Sequence, residues 1–264
     1  MRILFVGDIV GKGGRRVLNK RLNTLKAQHR IDFTIVNVEN SAGGFGLTPR
    51  IGRQILDLGV DVMTSGNHIW DQRDLLPYLD EEPRLLRPAN YPQGLAGHGV
   101  VTVQSECGQD VCVVNLQGRV FMTNIDCPFK KAEQILDRVN PETKIVVCDF
   151  HAEATSEKVA MGWFLDGRVS AVLGTHTHIP TGDARILPNG TAYMTDVGMS
   201  GSYDSVIGMD KKAALHRLVT GLPARLEVAK NDPRLSAVVL DIEPSSGKAQ
   251  SIEWLGLLPM PDTD

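Results

Sequence analysis

The sequence is short of the features that mark several protein classes. It has four cysteines, Cys107, Cys112, Cys127 and Cys148, and no two are spaced as Cys-x-x-Cys. A thiolate zinc site is therefore not expected. Cys112 and Cys148 sit in apolar runs and read as small core hydrophobes. No apolar run approaches the ~20 residues of a membrane-spanning helix. The opening run Ile3-Leu4-Phe5-Val6 turns polar at Gly7-Asp8 and is too short for a signal peptide. Cytoplasmic residence without membrane association is the resulting expectation. An excess of positive charge is also missing: 28 Lys and Arg face 31 Asp and Glu, for a net charge of −3. That balance speaks against stable binding to duplex nucleic acid. The one compact basic cluster is Lys12, Arg15, Arg16, Lys20 and Arg21. It reads as a solvated helix face, or as a local rim that attracts phosphate.

What is present is ordinary globular material. The 264 residues are 42% hydrophobic and 22% charged, enough for one sizeable core. No linker, repeat or low-complexity segment interrupts them. A single domain over residues 1–264 is expected. Residues 2–6, 33–38 and 60–64 are short, apolar and β-rich, as buried strands are. Between them, Val17, Leu18, Leu22 and Leu25, then Ile51, Ile55 and Leu58, recur at helical spacing. This strand–helix alternation predicts parallel pairing. Residues 99–105 and 111–116 read as a hairpin around Cys107-Gly108-Gln109-Asp110. A helix carrying Ile135, Leu136 and Val139 follows, then strands near 144–149 and 169–173. Further strand-like runs are Arg185 to Leu187, Thr191 to Thr195, Ala224 to Val228 and Ser236 to Asp241. Asn189-Gly190 predicts a tight turn between the first two. The expected fold class is α/β, with two packed sheets and helices outside.

Residues able to bind metal recur just after these strands. Asp8 follows 2–6, and Glu39 and Asn40 follow 33–38. Asn67 and His68 follow 60–64, His151 follows 144–149, and His176 and His178 follow 169–173. Strand carboxyl ends line the ligand crevice of a parallel α/β sheet. Mixed oxygen and imidazole donors suit manganese, iron or zinc better than calcium or copper. Each residue alone has a plainer explanation: Asp8 as a helix cap, Asn67 as a turn residue, His151 as a hydrogen-bonded core residue. On a continued strand, His176 and His178 would share a face and converge on one cluster.

The blocks Gly7-Asp8, Gly66-Asn67-His68, His151 and Gly174-Thr175-His176-Thr177-His178 resemble, in that order, those of calcineurin-like metallophosphoesterases. Asn37-Val38-Glu39-Asn40, Arg87-Pro88-Ala89-Asn90, Asp149 to Thr155 and Asp196-Val197-Gly198-Met199 resemble the YmdB-like branch, nearly end to end. The resemblance implies a four-layer α-β-β-α sandwich of two mixed sheets. It also implies two metal ions, with iron or manganese favoured and zinc conceivable. One ion would take Asp8, Glu39, Asn40 and His178. The other would take Glu39, Asn67, His151 and His176, with Glu39 as the bridge. The implied reaction is attack of a metal-bridging hydroxide on a phosphodiester such as a 2′,3′-cyclic nucleotide. His68 would be the proton donor. Two departures from the wider superfamily stand out. Its Asp-x-His opening is here Asp8-Ile9-Val10, and its bridging Asp is here Glu39, followed by Asn40. The YmdB-like branch is similar in both, which implies that Asn40 helps complete the shell lacking a histidine.

A phosphomonoesterase or nuclease on the same site stays open, as does a metal-binding regulatory protein with little turnover. Assembly as a homo-oligomer is expected. Gly43-Gly44-Phe45-Gly46 reads as a lip over the pocket or a flexible turn. Glu153 reads as an orienting partner for His151 or as an exposed helix-start residue. Gly11-Lys12-Gly13-Gly14 lacks the spacing and the following Ser or Thr of a phosphate-binding P-loop.

Overall fold

The computed structural model describes residues 1–261. Sheet one contains β1 (Arg2–Val6), β2 (Phe33–Asn37) and β3 (Val62–Thr64) in parallel, as the alternating sequence pattern predicts. The connections are helices α1 (Gly11–His29) and α2 (Pro49–Leu56). Local chemistry sets their ends. Thr48 caps α2 by accepting from the Ile51 amide, with Pro49 at the first helical position. A helix α3 (Leu75–Glu81) then leads out to the second sheet.

Sheet two begins with the expected hairpin, β4 (Val100–Gln104) against β5 (Asp110–Gln117), antiparallel. Helix α4 (Pro128–Leu136), β6 (Ile145–His151), α5 (Thr155–Leu165) and β7 (Ala171–Thr175) continue it with parallel strands. Next comes the hairpin β8 (Arg185–Ile186) and β9 (Ala192–Met194), turning at Asn189-Gly190 as expected. The chain then returns to sheet one through β10 (Gly201–Ser202), α6 (Lys211–Thr220), β11 (Pro233–Ile242) and β12 (Ala249–Pro259). Sheet one runs β10-β11-β1-β2-β3 with β12 also on β11, and sheet two runs β4-β5-β6-β7-β9-β8.

Alternation along each strand builds the layers. Ile3 and Phe5 of β1 point between the sheets, where they join Ile35, Val113, Val147 and Leu173. Leu4 and Val6 point the other way, onto Leu18 and Leu22 of α1 and Ile51 and Ile55 of α2. Cys112 and Cys148 face outward from sheet two, among Ala132 of α4 and Met161 and Leu165 of α5. The result is the four-layer α-β-β-α sandwich.

One strand expectation fails. Residues 224–228 alternate in exposure, yet they form no strand and make only an isolated bridge, Val228 to Met209. The segment lies beside the Ile207–Asp210 loop, which bonds it only at Glu227 and Ala229. A β-like pattern makes no ladder without an adjacent strand. Trp163 is half exposed, with the Arg185 guanidinium 5.9 Å from its ring, while Phe164 packs edge-on to Phe129.

Phe5 is fully buried between the sheets, whereas Leu218 on α6 is 74% exposed. Phe5→Ala should cost about 3–5 kcal/mol, and Leu218→Ala less than about 0.5 kcal/mol. Urea unfolding followed by circular dichroism measures both.

Candidate metal centre

The carboxyl ends of β1, β2 and β3 meet those of β6 and β7 at one edge of the sandwich. All eight residues singled out in the sequence lie at these strand ends. Asp8, Glu39, Asn40, His151 and His178 are buried. Asn67 and His68 open a single 3-10 turn after β3.

The closest cluster is Glu39, His151 and His176, whose potential donor atoms all lie within 4.8 Å of one another. His151 Nε2 is 3.0 Å from Glu39 Oε1, 3.0 Å from His176 Nδ1 and 3.2 Å from Asn67 Oδ1. Gly66 makes this possible. A Cβ at that position would lie 2.1 Å from His151 Cδ2, so only glycine lets the β3 loop pass the ring. A second grouping adjoins the first. His178 Nε2 is 3.3 Å from Asn40 Oδ1, whose amide nitrogen is tied to the Gly44 carbonyl. Asp8 Oδ2 accepts from the His176 amide at 3.2 Å, and Asp8 Oδ1 lies 3.9 Å from His151 Nδ1.

His176 and His178 are not on a continued strand. β7 ends at Thr175, and both histidines sit in a turn with φ of 100° and 67°. They converge through left-handed backbone rather than through strand alternation. Of the two readings of Glu153, the exposed residue just before a helix fits, two residues ahead of α5, and the partner of His151 does not. The Glu153 carboxylate lies 3.0 Å from Nε2 of His176, not beside His151. β6 stops at His151, so the chain turns off the strand line before residue 153 and reaches the outer histidine.

Electrostatics mark the cluster as short of positive charge. Burial raises the Asp8 carboxyl, against the pull of His178 and His151. Burial also opposes ionisation of Glu39, but His151 and His68 outweigh it and hold the carboxyl down to about 2. His151 shows the mirror image: burial works against its charge, and Glu39 lifts it to about 9. Burial and the neighbouring His151 lower His176 to about 3, which leaves its ring neutral with a lone pair to offer. Asp8 Oδ1 and Glu39 Oε1 are buried without a hydrogen-bond donor, because the 3.0 Å approach of His151 to Glu39 lacks the required direction. Two undersupplied carboxylate oxygens facing imidazole nitrogens and amide oxygens fit cation binding.

The supporting residues were given no role from the sequence, although Asn37, Asp149 and Thr175 lie in the blocks that carry the family resemblance. Buried Asp149 accepts from Thr64 Oγ1, Thr175 Oγ1 and Asn37 Nδ2. Because Thr175 Oγ1 donates to Asp149, its lone pair faces His151 Nδ1 at 2.8 Å. That bond places the proton on Nδ1 and turns Nε2 toward the cluster. Asp71, three residues after His68, lies 2.7 Å from His68 Nδ1. The spacing was legible; the 3-10 turn that folds one side chain onto the other was not.

Gly66→Ala should displace the His151 ring. The expected outcome is a purified protein with native far-UV circular dichroism but reduced divalent metal content by elemental analysis.

Comparisons with known proteins show which family the chain belongs to. A family model described as YmdB-like protein matches residues 4–255. A Bacillus subtilis (strain 168) protein named 2′,3′-cyclic-nucleotide 2′-phosphodiesterase is 48% identical over 253 residues, which covers 96% of each chain. A crystal structure of a hypothetical protein from Thermus thermophilus superposes with a TM-score of 0.92 at 40% identity, covering 99% of this chain and 100% of that one. A crystal structure described as a novel phosphatase, from Mycoplasma pneumoniae, gives 0.93 at 32% identity, covering 99% of this chain and 94% of the other. The chain belongs to the YmdB-like family.

Proposed function

We propose that the protein is a dinuclear metal-dependent phosphodiesterase acting on cyclic nucleotides such as 2′,3′-cAMP. The observation that carries this reading is the pair of donor-starved carboxylates, Asp8 and Glu39, enclosed by imidazole and amide donors beside His68. The Bacillus subtilis relative supports the substrate class. Asp8, Glu39, Asn40 and His178 would hold one cation, and Glu39, Asn67, His151 and His176 the other, with Glu39 shared. Carboxylate and amide oxygens with imidazoles favour iron or manganese, with zinc as the other candidate. When bound, such a pair supplies an acidified water and neutralises charge on the phosphoryl oxygens.

The chain's own groups do the rest. Asp71 accepts the Nδ1 proton of His68, which fixes the ring and leaves Nε2 as the working nitrogen. In ring opening, water oxygen bonds to phosphorus while one of the two ring P–O bonds breaks. The departing ribose oxygen takes the proton that His68 delivers. Glu39 anchors the same residue, because its Oε2 accepts the His68 backbone amide at 3.0 Å. Phe45 packs edge-on against the His68 ring at 5.2 Å between centroids, so the glycine-rich loop forms one wall of the site.

Residence in the cytoplasm and assembly as a homo-oligomer complete the reading. Among the described residues no helix is long and apolar enough to cross a membrane. Leu215, Leu218, Val219 and Leu222 leave an exposed apolar surface on and just after α6, which supports self-association. Both sheets supply the site, which supports one domain over the whole chain.

The purified protein should open 2′,3′-cAMP and cleave bis(p-nitrophenyl) phosphate while sparing the corresponding monoester. Chelation should abolish this, and Mn²⁺ or Fe²⁺ should restore it. Metal uptake without turnover on either diester would overturn the enzymatic reading. His68→Ala should lower kcat by about 10²–10⁴-fold with metal content retained. Asp71→Asn should lower kcat by a smaller factor than His68→Ala, again with metal content retained.

A further inference from the structure

The turn that carries His176 and His178 is held by a charge pair that no part of the proposed reaction uses. Lys158 of α5 and Asp196, two residues after β9, are buried, with side chains 2% and 1% exposed. Lys158 Nζ donates to Asp196 Oδ2 at 2.5 Å and to the Thr175 carbonyl at 2.7 Å. The same Asp196 oxygen accepts from the Thr177 amide at 3.1 Å and from the Thr177 hydroxyl at 2.8 Å. Its other oxygen accepts from the Gly198 amide at 2.8 Å. The pair therefore grips the chain on both sides of His176, at Thr175 and at Thr177. One residue past Gly198, the Met199 amide donates to the His178 carbonyl.

Three physical points make this more than packing. First, a buried ion pair is a poor source of stability, because desolvation offsets the attraction and an apolar pair of similar volume does as well. Second, the segment it grips is strained, since His176 and His178 both have positive φ, a region that residues bearing Cβ rarely occupy. Third, the pair satisfies three separate groups of that segment, one at Thr175 and two at Thr177, while the second oxygen of Asp196 is tied to the Gly198 amide of its own loop. Gly174 admits this close approach: a Cβ there would lie 1.7 Å from the Thr195 carbonyl oxygen.

We propose that Lys158 and Asp196 are positioning residues that clamp the Thr175–His178 turn and so aim His176 and His178 at the metal centre. The proposal rests on the reading of those histidines as ligands. Without the clamp the turn relaxes toward ordinary φ values, and the two rings lose their shared direction. Neither Lys158 nor Asp196 touches substrate or cation. Their effect is on the affinity of the site and, through it, on turnover.

Cobalt(II) titration of the metal-free protein, followed by its visible d–d absorption, tests the two levels separately. The wild-type protein should take up Co²⁺ with a well-defined spectrum. Lys158→Met, which keeps volume and removes the charge, should keep the far-UV circular dichroism. It should lose about 10–100-fold in Co²⁺ affinity, the range typical of residues that orient ligands. Its Co²⁺ spectrum should also change, and kcat for 2′,3′-cAMP should fall more than KM rises. Thr177→Val removes one hydroxyl from the clamp and leaves the ion pair intact. It should shift affinity in the same direction by a smaller factor, and it decides the matter if Lys158→Met does not fold. A folded Lys158→Met, or Thr177→Val, with wild-type Co²⁺ affinity and spectrum would overturn the clamp while leaving the ligand reading intact. A wild-type protein that takes up no Co²⁺ would overturn the ligand reading, and the clamp with it.

Discussion

The organisation of this protein depends on two carboxylates that the fold buries without enough donors. Asp8 and Glu39 lie at the ends of adjacent parallel strands, out of contact with water, each with an oxygen that no N–H or O–H reaches. Burying an unpaired carboxylate costs several kcal/mol, so the sandwich accepts them only with positive charge close by. Burial works against charge on both members of the His151–Glu39 pair, yet the pair favours a proton on His151, lifted to about 9, and an ionised Glu39, held down to about 2. A proton is the smallest cation the space accepts. The donors around it, two further imidazoles and two amide oxygens, exceed what one proton needs. This surplus is the physical argument for a larger cation.

Strand order makes the cluster possible. β1, β2 and β3 deliver Asp8, Glu39 and Asn67 from one sheet, and β6 and β7 deliver His151 and His176 from the other. Neither sheet alone holds both a carboxylate and an imidazole, among the proposed ligands. The face-to-face packing of Phe5 and Ile35 against Val147 and Leu173 sets how closely the two halves approach. Core packing and site geometry are thus one constraint, and a cavity between the sheets would be felt at the metal centre. The backbone at the centre carries strain as well. Left-handed φ at His176 and His178 costs on the order of 1–3 kcal/mol each. The hydrogen bonds of Asp196 and Lys158 hold that turn against relaxation.

Much of this was legible in the sequence, and the limit has a physical form. Apolar runs followed at once by Asp, Glu, Asn or His located the strand ends, because β-strands buried on both faces leave their polar residues to the loops. The Gly66-Asn67-His68 block was readable through its family resemblance, and the structure supplies the reason for its glycine, since a Cβ there would lie 2.1 Å from His151 Cδ2. Three features were not legible. The converging histidines depend on a turn with positive φ, which no alternation pattern encodes. Residues 224–228 have the exposure pattern of a strand, but whether a partner lies alongside is a tertiary fact. Asp149, Thr64 and Asn37 meet through side chains on three different strands. That meeting is set by register between β2, β3 and β6, which local sequence does not specify. The choice between the two readings of Glu153 was open for a related reason: two residues beyond a strand end, the direction of the chain is already a loop property.

The missing histidine at position 10 illustrates how one substitution is absorbed. Val10 is fully buried, and its side chain lies against Gly201 and Gly208. The sulfur of Met199 lies beside the same two glycines. Val10 atoms would lie 3.0 Å from a Cβ at either glycine, so the neighbouring loops pack closely over the smaller residue. In the proposed ligand set the lost donor is made up from the next strand end. Asn40 donates its amide nitrogen to Gly44, which fixes the rotamer and directs Oδ1 toward His178. Gly44, at φ of 97°, allows the loop to turn back for that bond. An amide oxygen is a weaker and harder donor than an imidazole nitrogen. Under the proposed assignment, the shell that contains Asn40 would hold its cation less firmly and lean toward oxygen-preferring metals. The side of the site near His151 keeps its imidazoles and has the stronger donors. In the proposed two-metal reading the two positions would be unequal, with the weaker one set by the glycine-rich loop that also places Phe45 against His68.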